Sequence, residues 1–223
     1  MKALVYTGEK SLDFCEVPDP KLKDDENLIS IRSVGICGSD MHAYLGHDDR
    51  RPAPLILGHE AAGDVIEGPL KGERVTINPL VSCQKCKECK SNRSNLCGKR
   101  QIISMQPREG AFAELVAMPS RNLVKVPDDI SFNDAALTEP LAVCWHAVRL
   151  GLEALDTDIS SANTLVIGGG AIGLGSALSL MAKGIKKIKI AEPNEKRRAF
   201  LQANTWFDVY DPTKGHGDLS CYD

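Results

Sequence analysis

Residues 161–198 read SANTLVIGGGAIGLGSALSLMAKGIKKIKIAEPNEKRR, and their rhythm decides the fold of the second part of the chain. TLVI is a continuous apolar run, as a parallel strand buried on both faces requires. Gly168-x-Gly170-x-x-Gly173 follows, LGSALSLMAK continues as a helix, and KKIKI leads as a second strand to Glu192. A lone G-x-G-x-x-G is a weak signal. One that closes a strand and opens a helix is the fingerprint of a dinucleotide site, because its glycines let backbone N–H groups approach a pyrophosphate at a helix N-terminus. Gly168, Gly170, Ile172 and Gly173 are the expected contacts. Glu192 stands near the distance of a ribose ligand. Its carboxylate can accept both ribose hydroxyls and would repel a 2′-phosphate, so the expected cofactor is NAD.

Four of the eight cysteines sit in CQKCKECKSNRSNLC, residues 83–97. Short two-residue links turn Cys83, Cys86 and Cys89 onto one centre, and a longer link returns Cys97 to close a tetrahedron. Four thiolates with no open position describe a structural zinc site. The lysines between them offset the negative charge of such a tetrathiolate, and a disulfide staple is the competing reading. No secretory signal opens the chain and no apolar run is long enough for a membrane span, so the expectation is a cytoplasmic protein with reduced thiols. A formal charge of −3 with interspersed signs implies no surface for nucleic acid.

Upstream lie VGICGSDMHAYLGH and LILGHEAAGDV, and downstream TEPLAV. CGSDMH, GHE, the four-cysteine lobe, TEPLAV and GGGAIG follow one another in an order that resembles the zinc-dependent medium-chain alcohol and polyol dehydrogenases, sorbitol- and L-idonate-type members above all. The resemblance covers essentially the whole chain. It implies that Cys37 and His59 bind a catalytic zinc, and that Glu60 and Glu139 complete the site, each directly or through water. By the same resemblance Ser39 is the relay hydroxyl, His42 passes the proton to solvent, Asp40 orients the site, Tyr44 is a pocket aromatic, and Arg197 is a basic residue near the adenosine ribose. The implied reaction is oxidation of a secondary alcohol of a polyol or sugar acid, with hydride passed to NAD. Full-length relatives are expected to be homodimers or homotetramers.

The expected architecture is β followed by α/β. A GroES-like irregular β-barrel catalytic domain (residues 1–148), carrying the zinc lobe, precedes the first half of a Rossmann dinucleotide-binding domain (residues 149–223). The strands read as KALVYT, DFCEV, LISIRSVGI, AGDVIEG, ERVTINP and GAFAELVAMP, and NDAALTEPLAVCWHAVRLGLEAL as a helix under an Asn133 or Ser131 cap, with Cys144 and Trp145 in the core. QIISMQPREG is expected to line or overhang the substrate pocket. TLVI, IKIAE and FDVYDP supply three strands, and GHGDLSCYD falls where relatives begin a fourth. This reads as a C-terminally truncated chain with little turnover in isolation. The alternative is a zinc-stabilised nucleotide-binding fragment without catalysis.

Overall fold

The computed structural model describes residues 1–156, 158–215 and 221–222. They fall into two compact units, Met1–Glu139 and Pro140–Asp223.

The first unit opens with β1 (Lys2–Gly8), β2 (Ser11–Glu16), the long β3 (Glu26–Gly35), helix α1 (Gly38–Tyr44), β4 (Leu55–Ile56), β5 (Glu60–Glu67) and β6 (Arg74–Ile77). It continues through β7 (Leu80–Val81), helix α2 (Lys87–Lys90), β8 (Gln101–Ile102), β9 (Leu115–Pro119), β10 (Leu123–Lys125) and helix α3 (Phe132–Ala136). An antiparallel five-stranded sheet runs in the order β10-β6-β5-β3-β9, a second sheet is β2-β1-β4, and β7 pairs β8. Ile29, Val65, Val75, Ile77 and Met118 form the core of the larger sheet, each at most 2 % exposed. Burying each stabilises the unit by about 1.5–3 kcal/mol. Register then decides where the chemistry sits. Gly35 at the end of β3 pairs with Glu60 at the start of β5. Cys37, two residues past Gly35, is thereby brought beside His59, one residue before Glu60.

The second unit takes most of helix α4 (Thr138–Glu153), then β11 (Asn163–Ile167), α5 (Ala171–Ala182), β12 (Lys187–Ala191), α6 (Glu195–Asn204) and β13 (Asp208–Tyr210). The strands are parallel in the order β11-β12-β13, one half of a doubly wound sheet. Val166, Ala177, Ile188, Ile190 and Leu201 are buried together between sheet and helices. Residues 216–220 and 223, within the stretch expected to begin a fourth strand, lie outside the described residues.

Two details differ from the sequence expectation, and one alternative is decided. The single helix expected from Asn133 onward is two, with Leu137 ending α3 and α4 starting at Thr138. Pro140 is the reason: it has no N–H to continue a helix from α3, yet is tolerated in the first turn of a new one. Ser131 is the cap, its Oγ accepting the Asp134 N–H at 3.1 Å. Trp145 is not core; it is 42 % exposed, with Lys183 Nζ 4.1 Å from its ring centroid, whereas Cys144 is buried as expected.

Candidate active site and metal centres

Cys37 caps the N-terminus of α1, and its N–H donates to Asp40 Oδ2 at 3.0 Å. The other oxygen of Asp40 accepts the Gly58 N–H at 3.2 Å and lies 3.4 Å from His59 Nδ1. One buried carboxylate thus fixes the loop before His59, its ring, and the backbone of Cys37. With Nδ1 occupied, Nε2 is the nitrogen left for a metal, an arrangement common around ligating histidines. Cys37, His59 and Glu60 offer ligand atoms that all lie within 4.8 Å of one another. Glu60 folds its carboxylate over Gly35, where a Cβ would stand 2.2 Å from Oε2.

The electrostatics ask for a cation. The bond with His59 draws the Cys37 thiol below its ordinary value. Burial works against a charged His59, yet the Asp40 carboxylate and the Cys37 sulfur raise it to about 10. The Asp40 carboxylate and the Cys37 sulfur thus both favour positive charge at this place, which a divalent ion would supply. Thiolate, imidazole and carboxylate together are a zinc donor set with room for a further ligand. Glu139 lies in the first turn of α4, outside the three-residue cluster. Burial pushes its carboxyl up, His59 pulls it down, and Glu60 and Asp40 push it up further. The Ser39 Oγ is shielded from solvent and, among the described residues, meets no partner in hydrogen-bond geometry. His42 is exposed on α1, its ring 6.5 Å from that of His47.

The cysteine lobe is a second centre. Cys86 caps α2, the Cys86 and Cys89 sulfurs are 3.5 Å apart, those of Cys83 and Cys89 3.9 Å, and the Cys83 N–H reaches Cys97 Sγ at 3.4 Å. Sulfurs around one zinc stand roughly 3.8 Å apart, against about 2.05 Å in a disulfide. The spacing fits the metal and excludes the staple. Backbone N–H groups lower the Cys83 thiol, while desolvation and the neighbouring sulfurs raise that of Cys89. Four sulfurs gathered this closely could hold a metal ion.

In the second unit, Gly168 has φ 96° at the end of β11, and Gly170 caps α5. A Cβ on Gly173 would lie 1.8 Å from the Gly168 carbonyl, so only glycine lets helix and strand meet here. Glu192 is 1 % exposed. Its two oxygens accept the Gly169 and Asn194 N–H groups, each at 2.7 Å, and Arg197 Nη1 is 3.6 Å away. Burial would raise its pKa, but the two amides and Arg197 hold it low. The anion is thus pinned beside the glycine turn. Ile172 is half exposed in the first turn of α5.

Residues 23–128 match the family model of the alcohol dehydrogenase GroES-like domain. Over 96 % of the chain, 37 % of residues are identical to L-galactonate-5-dehydrogenase of Escherichia coli, and 36 % to the probable diacetyl reductase [(R)-acetoin forming] 2 of Saccharomyces cerevisiae. The chain spans 62 % and 58 % of those relatives' lengths. A zinc-binding dehydrogenase of Sinorhizobium meliloti, solved with NADP, superposes on 96 % of this chain with a TM-score of 0.84 at 29 % identity, over 62 % of its own length. The chain carries the alcohol dehydrogenase GroES-like domain over residues 23–128, and over nearly all of its length it is similar to zinc-dependent medium-chain alcohol and polyol dehydrogenases.

The similarity leaves residues that the motifs do not mark. Ser104 Oγ lies 3.4 Å from His59 Nδ1 across 45 positions of sequence. Arg51 is buried beside it, paired with Asp48 at 2.7 Å. In DDRRP both read as solvated charges; only the fold turns one arginine inward. The polyol dehydrogenase resemblance placed QIISMQPREG near the pocket, but gave no reason to single out Ser104.

Proposed function

We propose that the chain carries the catalytic metal centre and the adenosine-binding half of an NAD-dependent dehydrogenase oxidising a secondary alcohol of a polyol or sugar acid. The observation that carries this reading is the cluster of Cys37, His59 and Glu60, built separately from a closed four-thiol centre. A zinc ion held by Cys37, His59 and Glu60, with Glu139 directly or through water, supplies Lewis-acid stabilisation of the negative charge that develops on an alcohol oxygen.

The chain's own groups do the rest. Ser39 Oγ, shielded from solvent and with no partner in hydrogen-bond geometry among the described residues, takes the substrate's hydroxyl proton as it passes its own on toward His42. His42, three residues further along α1 and exposed, hands that proton to water. Asp40 keeps Cys37 and His59 in register while this happens. Tyr44 gives the substrate an aromatic wall. Cys83, Cys86, Cys89 and Cys97 hold a zinc that supports the fold and takes no part in turnover, and such a reduced lobe suits the cytoplasm. Gly168, Gly170, Ile172 and Gly173 receive the pyrophosphate, and Glu192, flanked by Arg197, receives the ribose through the lone pairs its two amides leave free. L-galactonate-5-dehydrogenase, a sugar-acid enzyme by name, supports the substrate class.

The test is reduction of NAD followed by absorbance with a panel of polyols and aldonates, at alkaline pH with zinc present. Turnover of secondary alcohols is expected, against the sequence expectation of little turnover in isolation, because the metal donors and the glycine turn both stand on this chain; its absence with every substrate from protein holding both zincs contradicts the reading. Glu192→Ala addresses the cofactor. Losing hydrogen bonds to a charged acceptor costs about 1.5–3 kcal/mol, so the Kd for NAD is expected to rise roughly 10-fold or more while discrimination against NADP relaxes. Preference of the unmodified protein for NADP would overturn the assignment.

A further inference from the structure

Ser104 is completely buried and has φ 63°, a left-handed backbone that residues with a Cβ adopt only at a cost. It is the third residue of a turn closed by the Met105 N–H on the Ile102 carbonyl at 3.2 Å, where glycine is the ordinary choice. A serine there needs a reason. Its carbonyl accepts Arg51 Nε–H at 2.9 Å, and its hydroxyl lies 3.4 Å from His59 Nδ1. Arg51 is itself 3 % exposed at the side chain; it is held by Asp48 and lies with Nη1 3.4 Å from the Ser39 carbonyl. Arginine is buried only where its donors find acceptors. Here two of those acceptors are backbone oxygens in the wall of the candidate metal centre.

We propose that Ser104 is a positioning residue for His59: Arg51 and Asp48 lock its turn, and its hydroxyl shares Nδ1 with Asp40 so that Nε2 stays aimed at the metal. The proposal deepens the functional reading and rests on Cys37, His59 and Glu60 holding zinc. Asp40 alone would leave the ring free to pivot about one contact; two acceptors, both 3.4 Å away, fix its plane. Loss of such an outer contact ordinarily costs 10–100-fold in metal affinity.

Ser104→Gly separates this role from a purely structural one, because glycine suits the left-handed turn and removes only the hydroxyl. Zinc release to a chelator is followed in the unmodified protein, in Ser104→Gly, and in Cys37→Ala, whose missing phase identifies the centre at His59. Release from that centre is expected to quicken about 10-fold or more in Ser104→Gly, with the lobe's phase unchanged and the thermal midpoint equal or higher. Ser104→Ala should release zinc equally fast but melt lower. An unchanged release rate in Ser104→Gly overturns the proposal, as does a lowered midpoint with faster loss of the lobe's zinc. If the unmodified protein shows no release phase that Cys37→Ala lacks, the metal-centre reading itself fails and the proposal falls with it.

Discussion

Cys37→Ala is expected to remove one zinc per chain and to lower alcohol-dependent reduction of NAD by about a thousandfold, while the lobe keeps its metal. The register of β3 on β5 gives the centre three donors within 4.8 Å of one another. Alanine removes the one soft donor and leaves an imidazole and a carboxylate, too few to retain zinc against water. Stabilisation of the developing oxyanion is worth several kcal/mol, and about 4 kcal/mol corresponds to roughly three decades of rate. Metal content and kcat are measured on the same preparation. Full turnover with the second zinc gone would sink the catalytic assignment.

Cys97→Ser acts through stability instead. Cys97 is 0 % exposed and its sulfur accepts the Cys83 N–H, so it anchors the lobe from the inside. The lobe has little apolar core of its own: none of the residues of α2 is buried. Without its metal, nothing holds the remaining thiols together. Loss of a structural metal belongs among the large effects, roughly 4 kcal/mol or more, which lowers the midpoint of a chain this size by about 10 °C. Differential scanning calorimetry and zinc content check this. A variant that kept its midpoint but lost turnover would contradict the separation of roles.

The sequence made some of this legible and hid the rest for definite reasons. Local signals were readable because their chemistry is local: four cysteines in a short run, and a glycine turn between strand and helix. The break at Leu137 needed attention to Pro140, which stands where a continuous helix would require an N–H. Trp145 sits among apolar residues of α4, yet helical geometry turns its ring outward to Lys183. Cys37 and His59 could be paired only through the family's motif order, since it is the antiparallel register that joins them. Ser104 and Arg51 carried no signal at all. Their importance comes from a left-handed turn and an inward guanidinium, neither of which composition or periodicity encodes.

Two separate metal centres are built from different parts of the first unit, one on Cys37, His59 and Glu60 and the other on the four cysteines of the lobe. Counting zinc per chain by elemental analysis tests this most directly, in the unmodified protein and in Cys37→Ala and Cys97→Ser. Two ions are expected in the unmodified protein, a single ion confined to the lobe in Cys37→Ala, and loss of the lobe's ion in Cys97→Ser. One ion or none in the unmodified protein, or joint loss of both in Cys37→Ala, would contradict it.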